Sequence, residues 1–219
     1  MVQVKVQLKG RVKARVLKVR RDLPQWDVLT VAARTIERGG VIAFPTDTTY
    51  GLAASIWCEA AIARLRKLKR RDPEKSFVVI AADTDAVEEL AARISPAHRR
   101  LMEAYWPGPL TIVFQASRSV PAYLLGGSRT IAIRVPGDTL TQSILRACGQ
   151  PLAAPSANLR GRAPAVSARE VLRDFAAGVD LVLDGGRLEP ALPSTIVAVK
   201  RRGLEILRRG QVLVGEALI

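Results

Sequence analysis

Seven short apolar runs, at 41–44, 77–81, 110–114, 130–135, 181–183, 195–199 and 204–207, constrain the fold more than any other feature of this sequence. Each has the length of a strand; 41–44 is continuously apolar, 77–81 reads as a buried strand, and the others read as further strands. Amphipathic stretches separate many of them. Asp27 has the character of a helix N-cap, Val28, Val31, Ala32, Thr35 and Ile36 share one helical face, and Gly39-Gly40 ends that segment. Residues 59–69 predict a second helix with Ile62, Leu65 and Leu68 inward, and further helices are expected at 84–93, 96–105, 138–147 and 167–176. Strands and helices interleave without a regular βα repeat. The expected fold class is therefore α/β: a single domain on a twisted mixed β-sheet with flanking helices and a concave ligand face.

At 219 residues with 48% apolar content, the chain has enough material for one full core without staples. No apolar run approaches the ~20 residues of a membrane span, so no membrane partner is expected. The N-terminus is too polar for the apolar part of a signal peptide. Cys58 and Cys148 fit no metal spacing and read as small buried hydrophobes of a reducing, cytoplasmic compartment. The lone histidine, His98, falls in the first turn of a helix and reads as a surface residue. It leaves little room for a histidine-based triad or zinc site.

The net charge of +14 is unevenly spread. Residues 1–21 carry Lys5, Lys9, Arg11, Lys13, Arg15, Lys18, Arg20 and Arg21 with no acid, leaving 26 bases and 20 acids for the rest. In this arm Val2, Val4, Val6, Leu8, Val12, Ala14 and Val16 occupy even positions and Gln3, Lys5, Gln7, Lys9, Arg11, Lys13 and Arg15 odd ones, with Gly10 a candidate turn or bulge. That period predicts a strand or hairpin with one cationic face. Two readings stand: a solvated edge strand guarded by lysines, or a contact to the phosphate backbone of RNA. The expected division is a basic arm at 1–24 and a catalytic domain at 25–219.

Neither a P-loop nor a GxGxxG fingerprint occurs, so a nucleotide site would have to be assembled differently. Four polar clusters interrupt the apolar pattern. Pro45-Thr46-Asp47-Thr48-Thr49-Tyr50-Gly51-Leu52 follows a strand, where open α/β sheets bind ligands. It is also the composition of an Asx-type turn. Lys69-Arg70-Arg71-Asp72-Pro73-Glu74-Lys75 closes a helix, which suits the helix dipole and equally suits a clamp on polyphosphate. Ser156 and Asn158, within Ala153–Asn158, stand on one face if extended and offer a hydroxyl and an amide to a phosphate or purine. Pro193-Ser194-Thr195 and Arg208-Arg209-Gly210 suggest an anion site or surface turns.

Together these clusters resemble the YrdC-like family, whose best-known members are threonylcarbamoyl-AMP synthases. The resemblance runs from about residue 25 to 213 through FPTDTTYGL at 44–52, Lys69-x-Arg71, YWPGPLTIVF at 105–114, TIAIRVP at 130–136, PLAAPSAN at 151–158, LVLDGG at 181–186, PSTIV at 193–197 and ILRRG at 206–210. Eight motifs in order are far more specific than any one of them. The resemblance implies ATP contacts from Lys69, Arg71, Lys75, Thr130, Ser156, Asn158 and Arg208, with Lys69 and Arg71 the catalytic pair. It implies threonine contacts from Thr48, Arg134, Ala154 and Ser194, Arg134 meeting the carboxylate. Mg2+ is expected to arrive on the ATP phosphates, with no metal site formed by the protein. This chain departs from the family pattern at Ile80, where several synthases have histidine, at Pro164, where some have serine, and at Arg209, which replaces a common proline.

The implied activity is that of a nucleotidyltransferase. L-threonine, bicarbonate or CO2 and ATP would give threonylcarbamoyl-AMP and pyrophosphate, the first step of threonylcarbamoyladenosine (t6A) modification of tRNA. The expected partners are those substrates, tRNA through the basic surface, and a downstream threonylcarbamoyl-transferase machinery. The rival reading is a non-catalytic RNA-binding module.

Overall fold

The computed structural model describes residues 14–189, 191–201 and 203–215. Most of the alternating basic stretch, residues 1–13, lies outside them. In chain order the elements are β1 (Arg15–Lys18), α1 (Trp26–Glu37), β2 (Ile42–Pro45), β3 (Tyr50–Ser55), α2 (Glu59–Lys69), β4 (Val78–Ile80), α3 (Thr84–Leu90), α4 (Pro96–Tyr105) and β5 (Leu110–Gln115). They continue with α5 (Ala122–Leu125), β6 (Thr130–Arg134), α6 (Thr139–Cys148), β7 (Leu152–Ala153), α7 (Ala168–Phe175), β8 (Leu181–Asp184), β9 (Thr195–Lys200) and β10 (Gly203–Arg208).

The strands form one mixed sheet in the order β1-β8-β2-β3-β7-β4-β6-β5-β9-β10. β1–β8, β8–β2, β4–β6 and β5–β9 pair parallel, and the other neighbours pair antiparallel. Two apolar cores flank the sheet, and single strands feed both by simple alternation. Val41 and Ala43 enter one core while Ile42 and Phe44 enter the other; Val79 and Ile80 divide in the same way, as do Val182 and its neighbours Leu181 and Leu183. Successive side chains on a strand point to opposite faces, so burial on both faces requires an unbroken apolar run. α1 and α6 supply the helical residues of the smaller core, whereas α2, α3, α4, α5 and α7 contribute to the larger. Polar side chains are thus confined largely to strand ends and turns, which is where the site is found.

Several boundaries differ from expectation for identifiable reasons. α1 starts at Trp26, so Asp27 sits in its first turn and Gln25 is the cap. Gln25 instead accepts a hydrogen bond from the Arg20 amide through Oε1 at 3.1 Å. α3 stops at Leu90 because Ala91 turns extended and bridges to Ala116, with the Ala92 amide donating to the Gln115 carbonyl at 2.8 Å. β3, the two-residue β7 and the single-turn α5 were not foreseen. β3 begins inside the motif whose hydroxyls suggested a loop, and β7 is too short to carry a period. His98 is in the first turn of α4 as expected, but it is half-buried and no mere surface residue. It completes a capping box with Ser95, and its ring stacks on Phe114 at 4.7 Å.

The glycine of the Arg208-Arg209-Gly210 motif, which begins at the last residue of β10, has a steric explanation. A Cβ on Gly210 would stand 2.1 Å from the Pro193 carbonyl oxygen and 2.6 Å from both Ser194 C and Thr195 N. Only glycine lets this segment lie against the entry to β9, where the Gln211 amide donates to the Pro193 carbonyl at 3.0 Å. Gly210→Ala is expected to cost about 1–3 kcal/mol by overpacking, read as a lower thermal midpoint and a lower urea midpoint at unchanged m.

Candidate active site

α2 ends on Arg70, whose backbone is left-handed at φ 46°, ψ 41°. That conformation is costly for a residue with a Cβ, and strain of this kind concentrates at functional sites. It reverses the chain between Lys69 and Arg71. Lys69, the last helical residue, is buried. Its Nζ donates to the Ser156 carbonyl at 2.7 Å, to the Asn158 carbonyl, and to Asn158 Oδ1 at 2.7 Å. An ammonium has three protons, and these three acceptors account for them. Burial first, and the Arg71 charge second, pull the Lys69 pKa down to about 8.

The segment held by Lys69 is itself ordered. Ser156 Oγ donates to Asn158 Oδ1 at 2.7 Å, and Asn158 Nδ2 donates to the Arg162 carbonyl at 2.8 Å. The Leu52 amide donates to the Pro155 carbonyl and the Ala157 amide to the Tyr50 carbonyl, at 2.9 and 2.7 Å. The Pro-Ser-Ala-Asn motif is thereby laid against β3. The turn before β3 is organised by Thr46, whose Oγ1 accepts from the Thr48 amide at 3.1 Å and donates to the Thr49 carbonyl at 2.7 Å.

Arg134 closes β6. Its Nε donates to the Gly108 carbonyl at 2.9 Å, and its Nη2 forms an ion pair with Asp47 Oδ2. Beyond β5, Arg208 donates from Nε and Nη2 to the Ser194 carbonyl at 3.0 and 2.8 Å, and from Nη2 to Ser194 Oγ at 2.9 Å. Ser194 Oγ is also 2.9 Å from Thr111 Oγ1, on β5. Because β5 lies between β6 and β9, Arg134 and Ser194 flank its first residues.

These groups surround a cavity of about 390 Å³. Thr48, Lys69, Arg71, Lys75, Arg134, Ala154, Ser156, Asn158, Ser194 and Arg208 all line it, although they come from segments spread over the whole domain. Ile80, one of the departures from the family pattern, lines it too. Thr130 is the exception. It opens β6, at the opposite end from Arg134, its hydroxyl lies 2.7 Å from Ser128 Oγ, and it is absent from the lining. Asp47 and Thr111 were quoted in motifs without being given a role. Asp47 had a usable signal, a single carboxylate in a motif of hydroxyls; Thr111, fully buried within an apolar run, had none.

The lining is strongly cationic: Lys69, Arg70, Arg71, Lys75, Arg134, Arg160 and Arg208 face one carboxylate, Asp72. Such a surface attracts a polyanion. Among the described residues there is no cluster of three or more His, Cys, Asp or Glu side chains that could hold a metal ion. No helix among those residues is long and apolar enough to cross a membrane.

The fold and cavity together define an α/β protein with a cationic cleft assembled from strand ends and turns. A family model described as telomere recombination, Sua5_yciO_yrdC, matches residues 34–210. The chain is 33% identical over 195 residues to a threonylcarbamoyl-AMP synthase of Pyrococcus abyssi, which covers 89% of this chain and 57% of that protein. It is 38% identical over 173 residues to a threonylcarbamoyl-AMP synthase of Nitrosococcus oceani, covering 79% of this chain and 93% of the relative. The crystal structure of P. abyssi Sua5 complexed with L-threonine matches with a TM-score of 0.84 at 32% identity, over 89% of this chain and 57% of that one. This chain belongs to the Sua5/YciO/YrdC family. It spans little more than half the length of the Pyrococcus relative and nearly all of the Nitrosococcus one.

The Asp47–Arg134 pair joins two side chains that are 23% and 8% exposed. Removing one partner of a buried pair strands the other charge. Asp47→Ala is expected to destabilise the protein by about 3 kcal/mol. Asp184→Ala, which breaks the pair with the exposed Lys18, is expected to cost under ~1 kcal/mol for that pair. Chemical denaturation of the two variants checks the ranking.

Proposed function

We propose that this chain makes threonylcarbamoyl-AMP and pyrophosphate from L-threonine, bicarbonate or CO2 and ATP, as its named relatives do, supplying the first step of t6A modification of tRNA. The observation that carries this reading is the convergence of ten motif residues from six separate chain segments on one cationic cavity. Threonine's neutral amine attacks CO2, forming an N–C bond and releasing a proton. The resulting carboxylate oxygen then attacks the α-phosphorus of ATP. A new O–P bond forms, the bond to the β-phosphate's bridging oxygen breaks, and pyrophosphate leaves.

No step needs a protein nucleophile. The protein's part is to position two anionic reactants and neutralise charge that moves onto the leaving pyrophosphate. On this reading Arg71 and Lys75 meet the polyphosphate directly. Lys69 supplies its charge from behind while holding the Ser156–Asn158 segment that receives the nucleotide. Arg134 takes the amino acid's carboxylate with Thr48, Ala154 and Ser194 around it, and Arg208 faces the reacting phosphate from the other side. Mg2+ would travel on the ATP phosphates. The arm at 1–24 keeps two roles: β1 is an edge strand of the sheet, and the arm's basic face is assigned to RNA contact, with 25–219 assigned to catalysis. The concentration of bases in residues 1–21 supports that assignment.

The test supplies ATP, Mg2+, bicarbonate and one amino acid at a time, and follows pyrophosphate and the mass of the adenylate. Product with threonine alone is expected. Binding of RNA without pyrophosphate release under any amino acid would instead identify a binding module. Lys69→Ala and Arg71→Ala are each expected to lower turnover by about 10²–10³, and near-normal rates in both would overturn the assignment.

The Lys69 pKa gives a pH signature. The charged form is the useful one, so kcat/KM for ATP is expected to fall as pH rises through about 8. Lys69→Arg should shift that limb upward. The stability contribution of the same group runs the opposite way. Between the folded value of about 8 and the model-peptide value of 10.5 the unfolded chain binds the extra proton, so stability gains from rising pH. Activity lost above pH 8 without a lower thermal midpoint separates titration from unfolding.

A further inference from the structure

Arg66 was not singled out by the sequence and does not line the cavity, yet it touches most of the loop that does. It sits one turn before the end of α2, half-buried. Its Nη1 lies within hydrogen-bond distance of three carbonyl oxygens, those of Asp72, Pro73 and Lys75, at 3.0, 2.9 and 2.9 Å. Its Nη2 donates to the Tyr123 carbonyl at 3.2 Å, in α5. Its guanidinium lies 5.2 Å from the centroid of the Phe77 ring, and that of Arg71 lies 5.1 Å from the same centroid. Gly126 packs against the same loop. A Cβ there would stand 2.7–2.8 Å from the backbone of Pro73 and Glu74. The loop between Arg70 and Ser76 has no regular secondary structure to fix it, and backbone carbonyls gathered on one side chain take the place of a ladder.

We propose that Arg66 is a positioning residue for the polyphosphate-binding loop, holding Arg71 and Lys75 at the cavity wall without touching the ligand. The chemistry needs an arginine. A planar fork places Nη1 at the loop carbonyls and Nη2 at the Tyr123 carbonyl on a neighbouring element, whereas a lysine would supply one nitrogen as a point charge on a flexible stem. Three carbonyl oxygens turned toward Arg66 are also oxygens turned away from the anion. Arg71 repeats the device, donating from Nε to the Lys75 carbonyl at 3.2 Å and from Nη2 to the Ser76 carbonyl at 2.6 Å. Two guanidiniums thus shape one loop, one of them facing the cavity. The proposal rests on the reading of the cavity as an ATP site.

The test measures equilibrium ATP binding and steady-state kinetics for wild type, Arg66→Lys and Arg66→Ala, with thermal midpoints alongside. Arg66→Lys and Arg66→Ala are expected to weaken ATP binding about tenfold or more and to raise KM for ATP in proportion. KM for threonine should stay within about twofold. Added guanidinium ion should restore ATP affinity to Arg66→Ala and leave Arg66→Lys unimproved. Unchanged ATP affinity in both variants, with only a lower thermal midpoint, would show a purely structural side chain and overturn the proposal. Equal rises in KM for ATP and for threonine would overturn it too. A wild-type chain that binds no ATP would overturn the ATP reading and this proposal with it, whereas ATP binding in the wild type that the variants share would remove Arg66 alone.

Discussion

The contact on which the site depends is the Lys69 ammonium in its three-oxygen seat. It joins the C-terminus of α2 to the Ser156–Asn158 segment, 87 residues away in sequence, and those two elements carry the two motif groups with the strongest phosphate chemistry. Its protons are committed to backbone and amide oxygens, so it acts on a ligand mainly through its charge and through the shape it enforces. Burial makes that charge costly, and the three acceptors offset the cost. Losing it would leave the acceptors unsatisfied as well as removing a cation. A large rate effect at this position therefore contains a structural component, which the more solvent-facing Lys75 would not show.

Charge is divided sharply across the cavity. At one end Arg134 is neutralised by Asp47. At the other, Lys69, Arg71 and Lys75 have no ion pair with an acid among the described residues. A carboxylate arriving at Arg134 must compete with an existing partner or use the guanidinium's remaining edge, so its net gain is modest. A polyphosphate arriving at the other end meets unneutralised charge and gains much more. The sheet explains how this asymmetry is tolerated. Its central strands are apolar on both faces, so charge gathers at their ends, where Lys69, Arg71 and Arg208 are fastened by backbone carbonyls instead of by acids.

Much of this was legible in the sequence, for uneven reasons. The helix expected at 59–69 matches α2 residue for residue, because its inward Ile62 and Leu65 keep a clear period and its final bases mark the end. The runs at 41–44, 77–81 and 181–183 became buried strands because two-sided burial leaves no polar positions to blur them, whereas the run at 204–207, which includes Glu205, became the more exposed β10. The ten cavity residues were found through motif order, a signal that ignores distance along the chain. β3 was hidden because its first residues belong to a hydroxyl-rich motif, and β7 because two residues have no periodicity. Thr130 shows the limit of reading position for position. It matches a motif, yet the geometry of β6 places it four residues from the strand end where Arg134 meets the cavity.

Arg66 and Asp47 show what motif reading passes over. Each acts on a neighbour: Asp47 holds Arg134, and Arg66 holds the loop carrying Arg71 and Lys75. In sequence Arg66 is one base among several at a helix end, where the dipole alone would explain it. What distinguishes it is the convergence of carbonyl groups from a loop six to nine residues further on, a property of the fold and not of the helix. A cationic loop on the wall of a cationic cavity is under repulsion from its own charges. Anchoring it through neutral carbonyls avoids spending an acid, which would cancel the field the site needs. The same reasoning accounts for Ser156 and Asn158, whose backbone carbonyls, together with the Asn158 side chain, hold Lys69 without neutralising it. The cleft keeps its positive potential because its cations are positioned by dipoles.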